Sequence, residues 1–350
     1  MHWFVAAQSS LFDLAPSRPT LLLAGAALAF YIASRLGAAV LDRRGNNPAG
    51  AAAAHWLPMA AVTLTVLKQY PHAAVSIIFA SSVACLTLVP GVTLLSAPKM
   101  PSGEPLPVEP LETNDRRAWS MVLPAGLLTL LAGFRGYFTL FHAVLFIVQG
   151  LAVLFAWTAS PEVAPAGADV KRSNPFVAFA NVIFWIVLTF VGAKIATAGI
   201  RDISSRVPHL TTGVLGVLMI APALVLPMIG SALSLTQRGR GGAVISTSVD
   251  CVLLNLCVLL PITIIAWQVI SNWPASGFSG MMRGRLFDAP TSPLPYPMAA
   301  WRIDAVMLII FGAALLLIST KRWVPGRVEG LIGVLAFALY MVANAKLAAR

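Results

Sequence analysis

LPMAAVTLTVLKQYPHAAVSIIFASSVACLTLVPGVTL (residues 57–94) and LPMIGSALSLTQRGRGGAVISTSVDCVLLNLCVLLPIT (residues 226–263) are two copies of one pattern. Shifted by 169 positions (226 − 57 = 169) they align without a gap and share 8 of 38 residues. Leu57-Pro58-Met59 falls on Leu226-Pro227-Met228, Leu64 on Leu233, Ala74-Val75 on Ala243-Val244, Val83 on Val252 and Val89 on Val258. In each copy a proline interrupts an apolar run. A short polar turn follows, Lys68-Gln69-Tyr70-Pro71-His72 or Gln237-Arg238-Gly239-Arg240-Gly241, and then a second apolar run begins. Interrupted hydrophobic segments in corresponding positions of two halves are the sequence mark of a transporter built from inverted repeats.

The rest of the chain fits a membrane setting. It is 58% hydrophobic and 11% charged, far from a soluble composition, and apolar runs near the length needed to cross a bilayer recur along it. The net charge of +11 is therefore read as loop charge facing headgroups and setting topology, not as a nucleic-acid signature. The partners expected are the lipid bilayer, a monovalent or divalent cation with protons, and a membrane protein partner; no nucleic acid is expected. Cys85, Cys251 and Cys257 lie in apolar runs and read as reduced packing residues with no disulfide.

Ten spans are expected: 20–41, 51–68, 73–97, 118–134, 136–158, 174–200, 211–236, 243–270, 300–320 and 326–347. The fourth is short and holds Pro124. The division is an N-terminal interfacial segment at 1–18, a first five-helix repeat at 19–158, a linker at 159–173 and a second five-helix repeat at 174–350. Trp3, Phe4, Leu11, Phe12 and Leu14 suit a segment lying on the membrane. An odd number of spans per half inverts the second copy relative to the first. The fold class is thus all-α, a polytopic membrane protein of about ten helices in two inverted repeats. The doublets Arg43-Arg44, Arg116-Arg117, Lys171-Arg172 and Lys321-Arg322 share one side. Placing that side in the cytoplasm puts both termini outside, in a bacterial inner membrane.

With this organisation, the chain resembles the calcium/cation antiporter superfamily, the sodium/calcium-exchanger-like proteins, from about residue 20 onward. Arg327-Val328-Glu329-Gly330 is similar to the R-x-E-G opening of that family's final helix. The family's hairpins carry G-T-S-x-P-E and G-S-N-x-x-N, and the resemblance implies a midplane cation site between them. Its proline falls on Pro58 and Pro227, and its glutamate on Met59 and Met228. G-T-S becomes Ala54-His55-Trp56 and Ala223-Leu224-Val225. G-S-N-x-x-N becomes Ser81-Ser82-Val83-Ala84-Cys85-Leu86 and Asp250-Cys251-Val252-Leu253-Leu254-Asn255, so one side-chain ligand position survives, at Asn255.

Calcium needs six to eight oxygens, which two thioethers do not supply. Soft sulfur suits Cu(I) instead; a soft-metal site from Met59, Met228, Cys85 and Cys251 stands beside the reading of methionine as packing filler. Pro58 and Pro227 free the carbonyls of Ala54 and Ala223, either as supported kinks or as an ion-path lining. Asp250 is read as the one carboxylate inside a span, with His55 or Lys194 as partner; an Asp–His pair would relay protons, and a structural ion pair or a neutral acid is the other reading. His55 beside Trp56 also reads as an interfacial pair. Ser81, Ser82, Ser246, Thr247 and Ser248 supply hydroxyls near Asp250 and Asn255, or bond back to their own helices. Arg35 and Lys194 read as snorkelling cations. No Walker loop, HExxH, Cx2C pair or haem motif is present, so neither enzyme chemistry nor a cofactor is expected. The function expected is secondary transport with a degenerate ion site; the alternative is a transport-inactive membrane scaffold or subunit of a larger complex.

Overall fold

The computed structural model describes residues 18–41, 48–97, 119–158, 175–207, 211–237, 240–282, 293–320 and 325–348. Ten helices result: α1 (Arg18–Leu41), α2 (Pro48–Leu67), α3 (Pro71–Ser96), α4 (Val122–Gly133), α5 (Leu140–Thr158), α6 (Pro175–Arg206), α7 (Thr212–Thr236), α8 (Gly241–Met282), α9 (Met298–Ser319) and α10 (Arg327–Ala348). Proline opens α2, α3 and α6, the position where its missing N–H is harmless and its fixed φ already suits a helix. The interfacial segment at 1–18 (Arg18 excepted), the linker 159–173 and the four basic doublets lie outside the described residues.

Eight of these helices are long and apolar enough to cross a bilayer, and the chain is an integral membrane protein. The exceptions are α2, apolar over Ala52–Leu67, and α4, apolar over Val122–Gly133. The 12 residues of α4 rise only about 18 Å, short of a hydrocarbon core of about 30 Å. The ten expected spans map one to one onto the helices. The largest change of boundary is in α8, which continues to Met282 instead of ending near 270; α6 likewise runs on to Arg206 instead of 200.

The helix contacts come in mates. α2 touches α6 as α7 touches α1; α3 touches α7 as α8 touches α2; α3 touches α10 as α8 touches α5; α1 pairs with α6 and α4 with α9. Exchanging the two repeats maps this set onto itself, as two inverted five-helix units require. α2, α3, α7 and α8 form the centre, with α1 and α6 on one flank and α4, α5, α9 and α10 on the other. The apolar window of α3 is 83% buried and that of α6 22%, so α3 is a core element and α6 faces lipid.

Small residues set the spacing, as expected where packing rather than water expulsion holds helices together. A Cβ on Gly333 of α10 would come within 2.7 Å of the Thr87 carbonyl oxygen on α3, and one on Gly150 of α5 within 3.0 Å of the Cys257 carbonyl oxygen on α8. These two contacts are mates: each repeat's last helix lays a glycine against the third-helix backbone of the other repeat. The Arg-x-Glu-Gly opening of α10 has a physical basis too. Arg327 donates to the Ala97 carbonyl at 2.6 Å, Glu329 accepts the Gly326 N–H at 2.7 Å, and Gly330 lets the α10 backbone approach Gly91.

The second hairpin contains two π-helical turns, Gly216–Ile220 in α7 and Asn255–Leu259 in α8. A proline follows each two residues later, at Pro222 and Pro261. A widened turn relieves the clash between a proline ring and the carbonyl four residues back. Two short strands, β1 (Tyr137–Phe138) and β2 (Leu294–Pro295), pair antiparallel and join the α4–α5 and α8–α9 connections. Phe138 stacks with Tyr296 (5.0 Å between centroids), and Tyr296 with Phe79 of α3 at 4.8 Å, so this non-helical backbone is seated on α3.

Candidate functional site at the crossing of the two hairpins

Met59 and Met228 are fully buried, one in each proline-bearing helix. Asn255 Nδ2 lies 3.6 Å from Met59 Sδ, and Cys85 Sγ lies 3.7 Å from Met228 Sδ. Asn255 corresponds to Leu86 (255 − 169 = 86), the neighbour of Cys85, so the two contacts are near mates about the same axis. Each methionine thus meets the third helix of the opposite repeat.

Asn255 also joins α8 to α3 directly. Its Nδ2 donates to Ser81 Oγ and Ser82 Oγ, both at 3.2 Å. The two hydroxyls have already committed their hydrogens, Ser81 to the Ile77 carbonyl at 2.6 Å and Ser82 to the Ile78 carbonyl at 2.7 Å. A hydroxyl has one hydrogen to give, so both can only accept, and the NH2 end of the amide must face them. This fixes the orientation of Asn255 and leaves its Oδ1 buried without a partner. An unpaired carbonyl oxygen of this kind costs about 1–3 kcal/mol.

Cys251, one turn before Asn255, donates to the Ala52 carbonyl at 3.3 Å. It lies beside Cys85 and Asp250. Asp250 is 3% exposed, Thr247 is buried and Ala54 is buried, while Ala223 is half-buried. Thr247 and Ser248 bond back to the carbonyls of Ala243 and Ile245. His55 is 4% exposed with its Nδ1 unpartnered, and the charged neighbour it feels is Arg35. Lys194 is exposed on α6. The crossing therefore gathers Met59, Met228, Ser81, Ser82, Cys85, Cys251 and Asn255, with Asp250 beside Cys251; His55 faces the α1 side. No three His, Cys, Asp or Glu side chains converge among the described residues.

Asp250 is not the one carboxylate within a span. Asp304 in α9 is 1% exposed, and its two oxygens accept the hydroxyls of Tyr296 at 3.0 Å and Tyr340 at 2.7 Å. The expected ninth span, 300–320, already contained it. Its partners come from the β2 connection and from α10, and no spacing along the chain relates the three.

Solved structures with a similar fold include three membrane proteins. The H+/Ca2+ exchanger CAX matches over 97% of this chain and 92% of its own, with a TM-score of 0.60 and 15% identity. The sodium-calcium exchanger NCX_Mj matches over 93% and 97%, at 0.61 and 14%. YfkE matches over 96% and 95%, at 0.64 and 12%. The chain has the cation-exchanger fold. No protein-family model and no curated protein sequence matches it. In the exchanger fold the Leu-Pro-Met hairpins are the paired central elements, and Asn255 spans between them.

Proposed function

We propose that this chain is an integral membrane secondary transporter that works by alternating access, with an ion site altered from that of the calcium and sodium exchangers. The observation that supports the reading best is Asn255, which reaches from the second repeat to Ser81, Ser82 and Met59 of the first. It sets polar atoms at the crossing of two proline-broken hairpins, where this fold places moving ions. The likeness to the exchangers CAX and NCX_Mj, over more than nine-tenths of the chain, supports transport of a cation. Orientation follows the basic doublets, with both termini outside a bacterial inner membrane.

Calcium and sodium are poor cargo here. A hard cation needs a cage of oxygens, and thioethers stand at both glutamate positions of the resemblance. Neither ion should raise the thermal stability of the purified protein, although an ion held at 100 times its Kd would add about 2.7 kcal/mol. Asp250, the buried charge next to the crossing, is assigned to the transport step. Asp250→Asn should abolish proteoliposome flux of whichever cation the wild type carries; unchanged flux would remove Asp250 from the mechanism.

A second reading is a transport-inactive subunit that keeps the exchanger fold. It is favoured by the complete burial of Met59 and Met228, which fill the two positions as packing. A subunit of this kind co-purifies with a membrane protein partner and shows no cation-dependent flux.

A further inference from the structure

The crossing is unusual in what it offers a ligand. Cys85 Sγ and Met228 Sδ are 3.7 Å apart, and Met59 Sδ touches the Asn255 amide. Two sulfurs bound at about 2.3 Å to one tetrahedral ion sit about 3.8 Å apart, so the Cys85–Met228 pair already has the separation of two ligands of one metal. A second observation points the same way: the Asn255 Oδ1, fully buried and without a partner, is a lone pair aimed at no donor. Thiol and thioether ligands select soft d10 ions over calcium or magnesium.

We propose that the α3–α8 crossing is a binding site for a soft monovalent metal cation of the Cu(I) type, held by Cys85 Sγ, Met228 Sδ and Met59 Sδ, with Asn255 Oδ1 as the oxygen ligand. Cys251 stays a thiol, donating to the Ala52 carbonyl. As a statement about cargo this rests on the transporter reading above; as a statement about binding it stands alone. The step balances without redox chemistry. The metal arrives as M+, the Cys85 S–H bond breaks, a Cys85 S–M bond forms, and the proton leaves to the aqueous side from which the ion came. One positive charge replaces another, so the site's net charge is unchanged inside the bilayer, where any uncompensated charge is costly. A thiol at this position is thereby a one-for-one exchanger of metal for proton.

The test is anaerobic Cu(I) titration of the detergent-purified full chain against bathocuproine disulfonate, with proton release read by an indicator dye. The expected result is one Cu(I) per chain and one proton released. Met228→Leu and Met59→Leu should each weaken binding at least tenfold, and Cys85→Ser should abolish both binding and proton release. Cys257→Ser, at a residue that packs against Gly150 of α5, should change neither. Methionine-to-leucine exchanges nearly conserve volume, so those variants decide the matter even if Cys85→Ser fails to fold. Absence of Cu(I) binding, or binding that all the site variants retain, overturns the proposal. Separate proteoliposome flux distinguishes the two claims: binding without flux sinks the transporter reading and leaves the site, whereas flux of another cation without Cu(I) binding does the reverse.

Discussion

The first hairpin, α2–α3, and the second, α7–α8, descend from one pattern yet differ in regularity. In α3 the interior Pro90 sits in continuous α-helix. In α7 and α8 π turns precede Pro222 and Pro261, and the turn in α8 begins at Asn255 itself. The polar groups divide unequally too: the first hairpin supplies two serines whose hydrogens are spent on their own helix, and the second supplies Asp250, Cys251 and the one amide that reaches across. A duplicated scaffold can thus hold a centre that is symmetric in backbone position and asymmetric in chemistry. π turns are frequent at functional sites, and the irregular half is the half that carries the reaching side chain.

The largest expected effect lies outside both hairpins. Asp304→Ala strands the hydroxyls of Tyr296 and Tyr340, and thermal or denaturant unfolding should show a loss of about 3 kcal/mol or more, since each buried hydroxyl left without a partner costs about 1–3 kcal/mol. A wild-type melting curve for this variant would show that the β2 connection and α10 are not tied through Asp304. Next come the mated glycines, which sharpen the comparison between repeats. Gly333→Ala must displace the Thr87 backbone and should cost about 2–3 kcal/mol; Gly150→Ala, with a few tenths of an ångström more room, should cost about 1–2 kcal/mol. Equal costs, or the reverse order in the same unfolding assay, would contradict the tighter packing assigned to the α10–α3 contact. Smallest is the pair Met59→Leu and Met228→Leu, each expected below about 1.5 kcal/mol in stability, so any large change they cause in ion binding is chemistry rather than collapse.

How much of this was legible beforehand depends on whether the signal was local. The Leu-Pro-Met triplets are contiguous and repeat at a constant offset, so the hairpins, the ten spans and the inversion could be read from residue order alone. Asn255 stood out as an amide in an apolar run. The pairing of Cys85 with Met228 and of Asn255 with Ser81 and Ser82 links residues 143, 174 and 173 positions apart, and only the packing of α3 against α7 and α8 brings them together. The π turns leave no clear mark beyond the prolines after them. Asp304 stands in its span, but its partners Tyr296 and Tyr340 lie 8 and 36 positions away and meet it only through packing. His55, expected as a partner of Asp250 from the other hairpin, lies near Arg35 of α1 instead, because helix rotation is not encoded in alignment register.

The account depends on the two halves closing on each other at Asn255, and a double-mutant cycle between Asn255→Ala and the Ser81→Ala/Ser82→Ala pair measures that contact directly. Two hydrogen bonds across the crossing predict a coupling of about 1 kcal/mol in the unfolding free energy. Strict additivity of the two changes would contradict it.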